Sequence, residues 1–215
     1  MNRKLREVAL ANGGSIVGEE YFPLDHTDYG ATIDKIMSSG AEVVFNTIVP
    51  PGLAPFLGQL YDSGFTKRGG HLVCTYFEEN ILSFFPAAQV EGLYSCLDYY
   101  QDVNDPFSRE LLNQYMKLYP GSAKFTAGSA STGMYRGLRL WEAAVKEAGS
   151  LDQDDVVSAL DHAKITQGPG GPAEMVPGQH HVRMNMYIAQ AQSGKFEIVK
   201  NLGVIDSKEC MQGIT

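Results

Sequence analysis

The fold of this chain is decided by one stretch, AEVVFNTIVPPG, which runs from residue 41 to residue 52. Its first nine residues are predominantly apolar, and such a run is typical of a strand covered on both faces, as in a parallel sheet. Pro50, Pro51 and Gly52 cannot continue a central strand, because proline has no N–H group to donate. We therefore predict a buried strand that gives way to a loop at Pro50.

Strand and helix patterns alternate on both sides of this stretch. We predict a strand at 15–24 and then a helix that begins at Asp28, a suitable N-cap, and ends at Gly40. Short loops between strands and helices are typical of βαβ units, whose right-handed crossovers produce a parallel sheet. The predicted elements after residue 52 are a helix from Leu53 to near Gly64, a strand at 71–76, a helix at 78–88 and a strand at 92–100.

Three predicted helices follow residue 100 in succession. No strand separates them, so they do not extend the sheet and must cover either one of its faces or a lobe that the chain lacks. Met134, Leu138, Trp141 and Val145 form an apolar stripe along the second helix. The predicted helices are 106–119, 126–148 and 151–160.

The last part of the chain returns to extended patterns. A loop rich in glycine and proline occupies 168–172, and two or three strands are predicted between residues 173 and 205. Ser193-Gly194 is the predicted hairpin turn between strands at 184–192 and 195–199.

The composition excludes some classes of partner. Hydrophobic residues make up 44% of the chain and charged residues 20%, which is ordinary for a globular protein. The formal net charge is -8, and no dense run of Lys or Arg is present, whereas nucleic-acid binding depends on clustered cations. No stretch approaches the roughly 18 apolar residues of a membrane span. We therefore expect no nucleic-acid partner.

No residues point to catalysis, a metal or a cofactor. The segment at 128–133 comes nearest to a G-x-S-x-G nucleophile motif, but Ser129 stands where the first glycine is needed. His180 and His181 would point to opposite faces of a strand, so their rings cannot chelate one ion. The loop at 168–172 lacks the Lys-Ser/Thr of a P-loop, and the three cysteines have no CxxC spacing. We predict a protein that is not an enzyme.

Ligands of open parallel α/β sheets bind beyond the carboxyl ends of the strands. The segments that leave those ends here are 47–52, 74–80 and 98–102, which contain hydroxyl groups, aromatic rings, an amide and carboxylates. This mixture suits a small polar ligand that is uncharged or cationic. The alternative is that the rings belong to the ordinary core and its rim, and this applies to Tyr76, Phe77, Tyr99 and Tyr100.

Several longer segments resemble one known family. The run from residue 2 to residue 60, with EEYFPLDHTDYGATIDKI and AEVVFNTIV, resembles the second lobe of the periplasmic binding proteins of the leucine/isoleucine/valine type. The segments VEGLYSCLDYYQD, YRGLRLWEAAVKEAG and QGPGGPAEMVPGQHHVRMNMYIAQAQSGKFEIV extend the resemblance to nearly the whole chain. Within this family, the chain looks most like the short-chain amide and urea binders.

The resemblance implies a type I fold of two Rossmann-like lobes, joined by three hinge strands and closing over a ligand. Residues 1–100 and 165–215 are then expected to form the C-terminal lobe, and residues 101–164 to belong to or face the N-terminal lobe. The opening MNRKLREVALANGG is an amphipathic helix pattern and not a signal peptide, so we expect the chain to be part of a longer protein. The apolar stripe would then lack its partner, which predicts self-association or docking on the chain's own lobe.

The resemblance also implies which residues contact the ligand. In the family's amino-acid receptors, an acidic residue of the second segment binds the ammonium group, a role that falls here to Glu78 or Glu79. The implied ligand-binding residues are Thr47, Val49, Pro50, Thr75, Tyr76, Glu78, Tyr99 and Tyr100.

The implied function is that of the substrate-binding component of an ABC-type transporter in the bacterial periplasm. Its ligand would be a short-chain amide, urea or a branched-chain amino acid, and its partner an ABC permease. Two alternatives stay open: a cytoplasmic amide-sensing regulator of the same fold, which would act on a regulatory protein, and an α/β hydrolytic enzyme.

Overall fold

The computed structural model describes residues 2–120 and 127–207. The chain divides into two compact units, of which the first contains the residues up to Thr75 and the second begins at Tyr76. Cys210 and residue 126, the predicted start of a helix, lie outside the described residues, as does the end of the predicted C-terminal lobe.

The first unit contains a parallel pair of strands. β1 (Val43–Asn46) pairs with β2 (His71–Cys74), and Val43 lies opposite His71 while Asn46 lies opposite Cys74. The parallel arrangement predicted from the 41–52 stretch is thus confirmed for these two strands. The helices of this unit are α1 (Asn2–Ala11), α2 (Gly30–Ser38), α3 (Leu53–Asp62) and a short 3-10 helix (Thr66–Arg68).

α3 provides much of the core of the first unit. Leu53, Phe56, Leu57 and Leu60 are buried, and their spacing places them on one face of the helix. α2 packs against α3 and buries Ile33. The helix predicted after the 41–52 stretch is therefore present, and its apolar periodicity identifies the face that packs inward.

The segment at 15–24, predicted as a strand, has no regular secondary structure, so that prediction is wrong. Its side chains bind the flanking helices instead: Glu19 accepts a hydrogen bond from Arg6 of α1, and Glu20 accepts one from Lys35 of α2. A glycine and a proline within the segment also weaken any strand. This part of the chain therefore contacts its neighbours through side-chain ion pairs and not through a backbone ladder.

The second unit combines helices with antiparallel strands. The helix predicted at 78–88 is divided into two short ones, because Pro86 has no N–H group and disfavours helix at the residue before it. The elements are α4 (Glu79–Leu82), α5 (Ala87–Val90), β3 (Tyr94–Leu97), α6 (Pro106–Leu118), α7 (Ser129–Ala148), α8 (Gln153–Leu160), β4 (Lys164–Ile165), β5 (Ala173–Val176), β6 (His181–Gln192) and β7 (Lys195–Ile205).

The long strand β6 organises the sheet of the second unit. It pairs antiparallel with β3, β5 and β7, and β5 in turn pairs with β4. Ser193 and Gly194 connect β6 to β7 with φ values of 51° and 78°, which are the left-handed conformations of a tight hairpin turn. The predicted hairpin is confirmed, with longer strands than expected.

α7 has two different faces. One face packs on α8 through a core that includes Leu140, Ala144 and Val156, together with Ile165 of β4. On another face Met134, Leu138 and Trp141 are 69%, 59% and 49% exposed. Three of the four predicted stripe residues are therefore solvent-exposed, whereas the fourth, Val145, is half-buried and packs against the core that docks the helix.

Candidate functional site

Two of the predicted ligand segments leave the parallel pair in the first unit. Because Asn46 and Cys74 are opposite one another at the ends of β1 and β2, Thr47 and Thr75 emerge at the same edge. The backbone N–H of Thr75 donates to the carbonyl oxygen of Asn46 at 3.1 Å. Thr47 is exposed and Thr75 is half-buried, so the structure brings these two predicted site residues together.

Asn46 shapes this edge, although the sequence analysis did not select it. Its buried side chain accepts the N–H of Ile48 at Oδ1 (3.0 Å) and donates from Nδ2 to Cys74 Sγ (3.5 Å). This turn fixes the backbone of Thr47. In the sequence, the only indication of the turn is a single amide side chain, Asn46, inside an apolar run. Burial raises the pKa of the Cys74 thiol to about 12, so Cys74 is not a nucleophile at neutral pH.

The rest of the first segment is an exposed loop that packs on the buried side chain of Tyr29. Val49 and Pro50 are exposed, whereas Tyr29 is fully buried and its hydroxyl donates to the carbonyl oxygen of His26 at 3.0 Å. A Cβ atom at Gly52 would lie 2.7 Å from the Tyr29 hydroxyl, so only glycine fits there. Val49 and Pro50 are therefore presented to solvent by a constrained loop.

A cavity of about 600 Å³ also lies in the first unit. Its walls are formed by α1, residues 15–20 with Phe22, α2 and β1, and it reaches Thr47 and Ile48. The volume falls within the roughly 300–1,000 Å³ that is usual for small-molecule sites. The cavity therefore adjoins one of the two threonines.

The second unit begins with the remainder of the segment after β2. Tyr76 is 63% exposed and has a φ of 56°, a left-handed conformation that bulky residues rarely adopt. Phe77 is buried. The Glu78 carboxylate accepts the backbone N–H of Ala130 at the start of α7 and the side-chain amide of Asn80, both at 3.1 Å. Tyr76 is thus available to a ligand, while Glu78 is engaged within the chain.

Tyr99 and Tyr100, the predicted site residues after β3, are buried. Burial raises the pKa of Tyr99 to about 12, and the neighbouring carboxyl groups of Glu79 and Asp105 act in the same direction. Burial also raises the pKa of Tyr100, whose ring centroid lies 5.2 Å from that of Phe196. Both rings occupy the core of the second unit, which is the alternative that the sequence left open.

A buried ion pair follows β3 in the second unit and was not predicted. Arg136 Nη1 donates to Asp98 Oδ2 at 2.6 Å, and Arg136 Nη2 donates to the carbonyl oxygen of Pro169 at 2.8 Å. The hydroxyl of Ser129 donates to the other oxygen of Asp98 at 2.6 Å. Ser129, from the segment that resembles a nucleophile motif, is therefore part of a structural network around α7.

The glycine-rich loop at 168–172 is a packing element. Gly170 donates its N–H to Ser108 Oγ at 3.0 Å and accepts the Tyr187 hydroxyl at 2.9 Å. Its φ is 76°, and a Cβ atom there would lie 2.3 Å from the carbonyl oxygen of Asp98. The glycine thus permits a close backbone approach that a side chain would prevent.

Among residues 2–120 and 127–207, no three His, Cys, Asp or Glu side chains are placed to hold a metal ion. Within the same two ranges, every helix is either too short or too polar to span a bilayer. What the strand ends expose is a pair of threonines in the first unit and a tyrosine ring in the second. An α/β fold with such groups after its strands defines the class of ligand-binding lobes.

The chain belongs to the Periplasmic binding protein family, whose family model matches residues 1–195. It is 23% identical over 193 residues to the Leu/Ile/Val-binding protein homolog 6 of Brucella abortus (strain 2308), a match that covers 86% of this chain and 48% of that protein. The homolog 6 of Brucella suis biovar 1 (strain 1330) is likewise 23% identical, over 192 residues, with the same coverage. The chain spans about half the length of the curated relatives it matches.

Solved structures of similar proteins show the same fold. A solute binding protein of an ABC transporter from R. palustris, in complex with 4-hydroxybenzoate, matches with a TM-score of 0.76 and 24% identity, over 95% of this chain and 56% of that chain. A leucine binding protein from Thermotoga maritima MSB8 matches with a TM-score of 0.79 and 16% identity, over 94% and 56% of the two chains.

These similarities confirm several predictions. The α/β fold class of a type I periplasmic binding protein lobe is confirmed, and so is the resemblance to the Leu/Ile/Val-binding proteins. Membership of a family of binding proteins also confirms that the chain is not an enzyme, which rejects the hydrolase alternative. The closer resemblance to amide and urea binders stays a prediction.

Proposed function

We propose that this chain is the ligand-binding lobe of the substrate-binding component of an ABC-type transporter. The observation that carries the proposal is the position of Thr47 and Thr75, side by side at the carboxyl edge of β1 and β2 in a chain of the periplasmic binding protein family. This edge is where α/β sheets bind ligands. Each hydroxyl can both donate and accept a hydrogen bond, which suits a small polar molecule.

The proposed ligand is a short-chain amide, urea or a branched-chain amino acid. Curated relatives are named as Leu/Ile/Val-binding proteins, and a similar structure from Brucella ovis is described as binding leucine, isoleucine, valine, threonine and alanine. Each oxygen of Glu78 accepts one hydrogen bond within the chain. Because a carboxylate oxygen has two acceptor sites, these hydrogen bonds leave both a neutral and a cationic ligand open.

The proposed binding mechanism is hinge closure. Contacts that exist only in the closed state of a two-lobed receptor stabilise that state over the open one. We assign residues 1–100 and 165–215 to the C-terminal lobe and residues 101–164 to the part that belongs to or faces an N-terminal lobe. The exposed stripe on α7 supports this assignment, since an apolar face of this kind is usually covered by a partner.

The proposed partner is an ABC permease, and the proposed location is the bacterial periplasm. Both follow from the family, whose solved members include solute binding proteins of ABC transporters. A cytoplasmic sensor of the same fold would bind the same class of ligand but would act on a regulatory protein.

The test is a titration of this chain, followed by the amide resonances of Thr47 and Thr75. Acetamide, urea, leucine, isoleucine, valine and 4-hydroxybenzoate are added separately up to millimolar concentration. We expect one of them to shift both resonances in a saturable way. Thr47→Val and Thr75→Val should each weaken that binding about 2- to 12-fold, the equivalent of one hydrogen bond of about 0.5–1.5 kcal/mol.

Thr27→Val is the matched control, because Thr27 is an exposed threonine of the same unit that lies outside both segments. Its affinity should equal that of the wild type. If no compound in the panel shifts the Thr47 and Thr75 resonances, the proposed site is wrong.

A further inference from the structure

One edge of β1 has no strand beside it. In the part of the chain that the structure describes, β1 forms a ladder with β2 alone. The carbonyl oxygen of Asn46 accepts the backbone N–H of Thr75 at 3.1 Å, so the backbone groups of Asn46 face β2. Because successive residues of a strand direct these groups to alternate sides, those of Val43 and Phe45 face the other edge. That edge can therefore accept another strand.

The segment at 15–20 lines the same cavity of about 600 Å³ as β1 does. Within the described ranges, no hydrogen bond between backbone groups involves this segment. Its side chains hold it in place instead: Glu19 accepts a hydrogen bond from Arg6 of α1, and Glu20 accepts one from Thr32 of α2 at 2.7 Å. The cavity thus has open backbone groups along two of its walls.

α1 is an amphipathic helix that packs its apolar face incompletely. None of its residues is buried. Leu5, which lines the cavity, and Ala9 are half-buried, while Val8 and Leu10 are 48% and 57% exposed. An amphipathic helix is stabilised mainly by the packing of its apolar face. We therefore expect a further element between α1 and the rest of the first unit.

The cavity has the length and the lining of a slot for one β-strand. Residues 43–48 line it in succession, and at about 3.3 Å per residue they span about 20 Å, the length of an ordinary strand. Its charged side chains pair with one another, Arg6 with Glu19 and Lys35 with Glu20. Because these charges are already compensated, the slot fits an uncharged segment, and strands covered by helices are predominantly apolar.

The position of Asn2 favours one source for such a segment. Asn2 is the first residue of α1, and it lines the slot. The chain covers about half the length of its curated relatives, so a longer protein has residues to supply. A strand that leads into α1 and then to residues 15–20 would repeat the strand–helix–strand arrangement of β1, α3 and β2.

We propose that the slot is a strand-binding site, filled by about five or six uncharged, predominantly apolar residues that precede α1 in a longer protein and run parallel to β1. Their backbone groups pair with Val43 and Phe45 on one side and with residues 15–20 on the other. The added strand also gives α1 an apolar surface to cover. This proposal goes beyond the proposed function and does not depend on it.

The sequence encoded directly upstream of residue 1 provides the first test. We expect an apolar run of about five or six residues without proline, which ends about two to six residues before Asn2. A charged or proline-rich sequence in that place overturns the proposal, and so does a coding sequence that starts at residue 1.

Hydrogen exchange of the Phe45 amide is the decisive measurement. In this chain Phe45 should exchange faster than Asn46, because Asn46 faces β2. In the protein extended through the upstream run, the protection of Phe45 should rise on the order of tenfold or more relative to that of Asn46. An equal ratio of the two amides in both proteins overturns the proposal. Protection of Phe45 that rises with the concentration of this chain would identify a second copy as the occupant, and that outcome also overturns it.

Two matched substitutions in α1 test the slot itself. In the extended protein, Leu5→Lys places an ammonium group in the slot, whereas Val8→Lys places the same group on an exposed position outside it. Leu5→Lys should return the Phe45 exchange to the rate of the present chain, because the strand cannot pack over a buried charge. Val8→Lys should keep the protection. Equal protection in the two variants contradicts the proposal, and if Leu5→Lys does not fold, the comparison of the two wild-type proteins decides.

Discussion

The two units use the ends of their strands in different ways. In the first unit, Thr47 and Thr75 leave the parallel strands as exposed or half-buried side chains. In the second unit, Asp98, Tyr99 and Tyr100 leave β3 as buried side chains that bind or pack against their own unit. The same position relative to a strand therefore leaves side chains accessible in one unit and buries them in the core of the other. What decides between them is whether other elements supply partners for the emerging groups.

The strongest test of this difference is the removal of the buried guanidinium group. Arg136→Met should lower the free energy of unfolding by about 3–5 kcal/mol, because Asp98 would keep a buried charge without its cation. Urea unfolding measures this loss. Arg139→Met is the control: Arg139 pairs with Glu142 on the exposed side of the same helix and should unfold like the wild type. Equal stabilities of the two variants would show that the buried network is not structural.

A second substitution tests the close backbone approach in the glycine-rich loop. Gly170→Ala should cost about 2–4 kcal/mol, from the left-handed φ of 76° and the contact with the Asp98 carbonyl group. Gly178→Ala has a similar φ of 71° but open space around the new Cβ atom, so it should cost about 1–2 kcal/mol. Chemical denaturation of both variants separates the cost of the left-handed backbone, which both share, from the cost of the steric clash, which only Gly170→Ala has. Equal losses would mean that the collision contributes nothing.

The smallest expected effect distinguishes a residue that stabilises the proposed site, Asn46, from one that is proposed to contact the ligand, Thr47. Asn46→Ala should lower the free energy of unfolding by about 1–3 kcal/mol, because it leaves the partly buried Ile48 N–H without its acceptor. Thr47→Val should change stability by less than about 0.5 kcal/mol, because Thr47 is exposed. Thermal unfolding compares the two. A large loss of stability in Thr47→Val would assign that residue to packing instead of ligand binding.

Much of the fold could be predicted because local patterns determine it. The apolar face of α3 and the turn at Ser193-Gly194 are local signals that agree with the final structure. The strand predicted at 15–24 is absent, and its glycine and proline weaken a strand. The ion pairs that this segment makes with Arg6 and Lys35 depend on tertiary placement. The helix predicted at 78–88 was too long because Pro86 interrupts it.

For the proposed site, the sequence could predict only which side chains are accessible directly after a strand end. Thr47 and Thr75 follow from the register of two strands. The engagement of Glu78 with Ala130 joins residues 52 positions apart, and the ion pair between Asp98 and Arg136 joins residues 38 positions apart. No local pattern specifies such distant partners. The sequence alone therefore cannot distinguish a charged residue that is free to bind a ligand from one that is paired within the fold.

The exposed face of α7 has a practical consequence. Trp141 is the single tryptophan of the chain and is 49% exposed on that face. Its fluorescence is therefore a built-in optical reporter: whatever covers the helix excludes water from the indole ring and moves the emission to shorter wavelengths. In a concentration series of the unlabelled chain, a shift of the Trp141 emission to shorter wavelengths would reveal self-association. The same shift could be used to screen candidate partners.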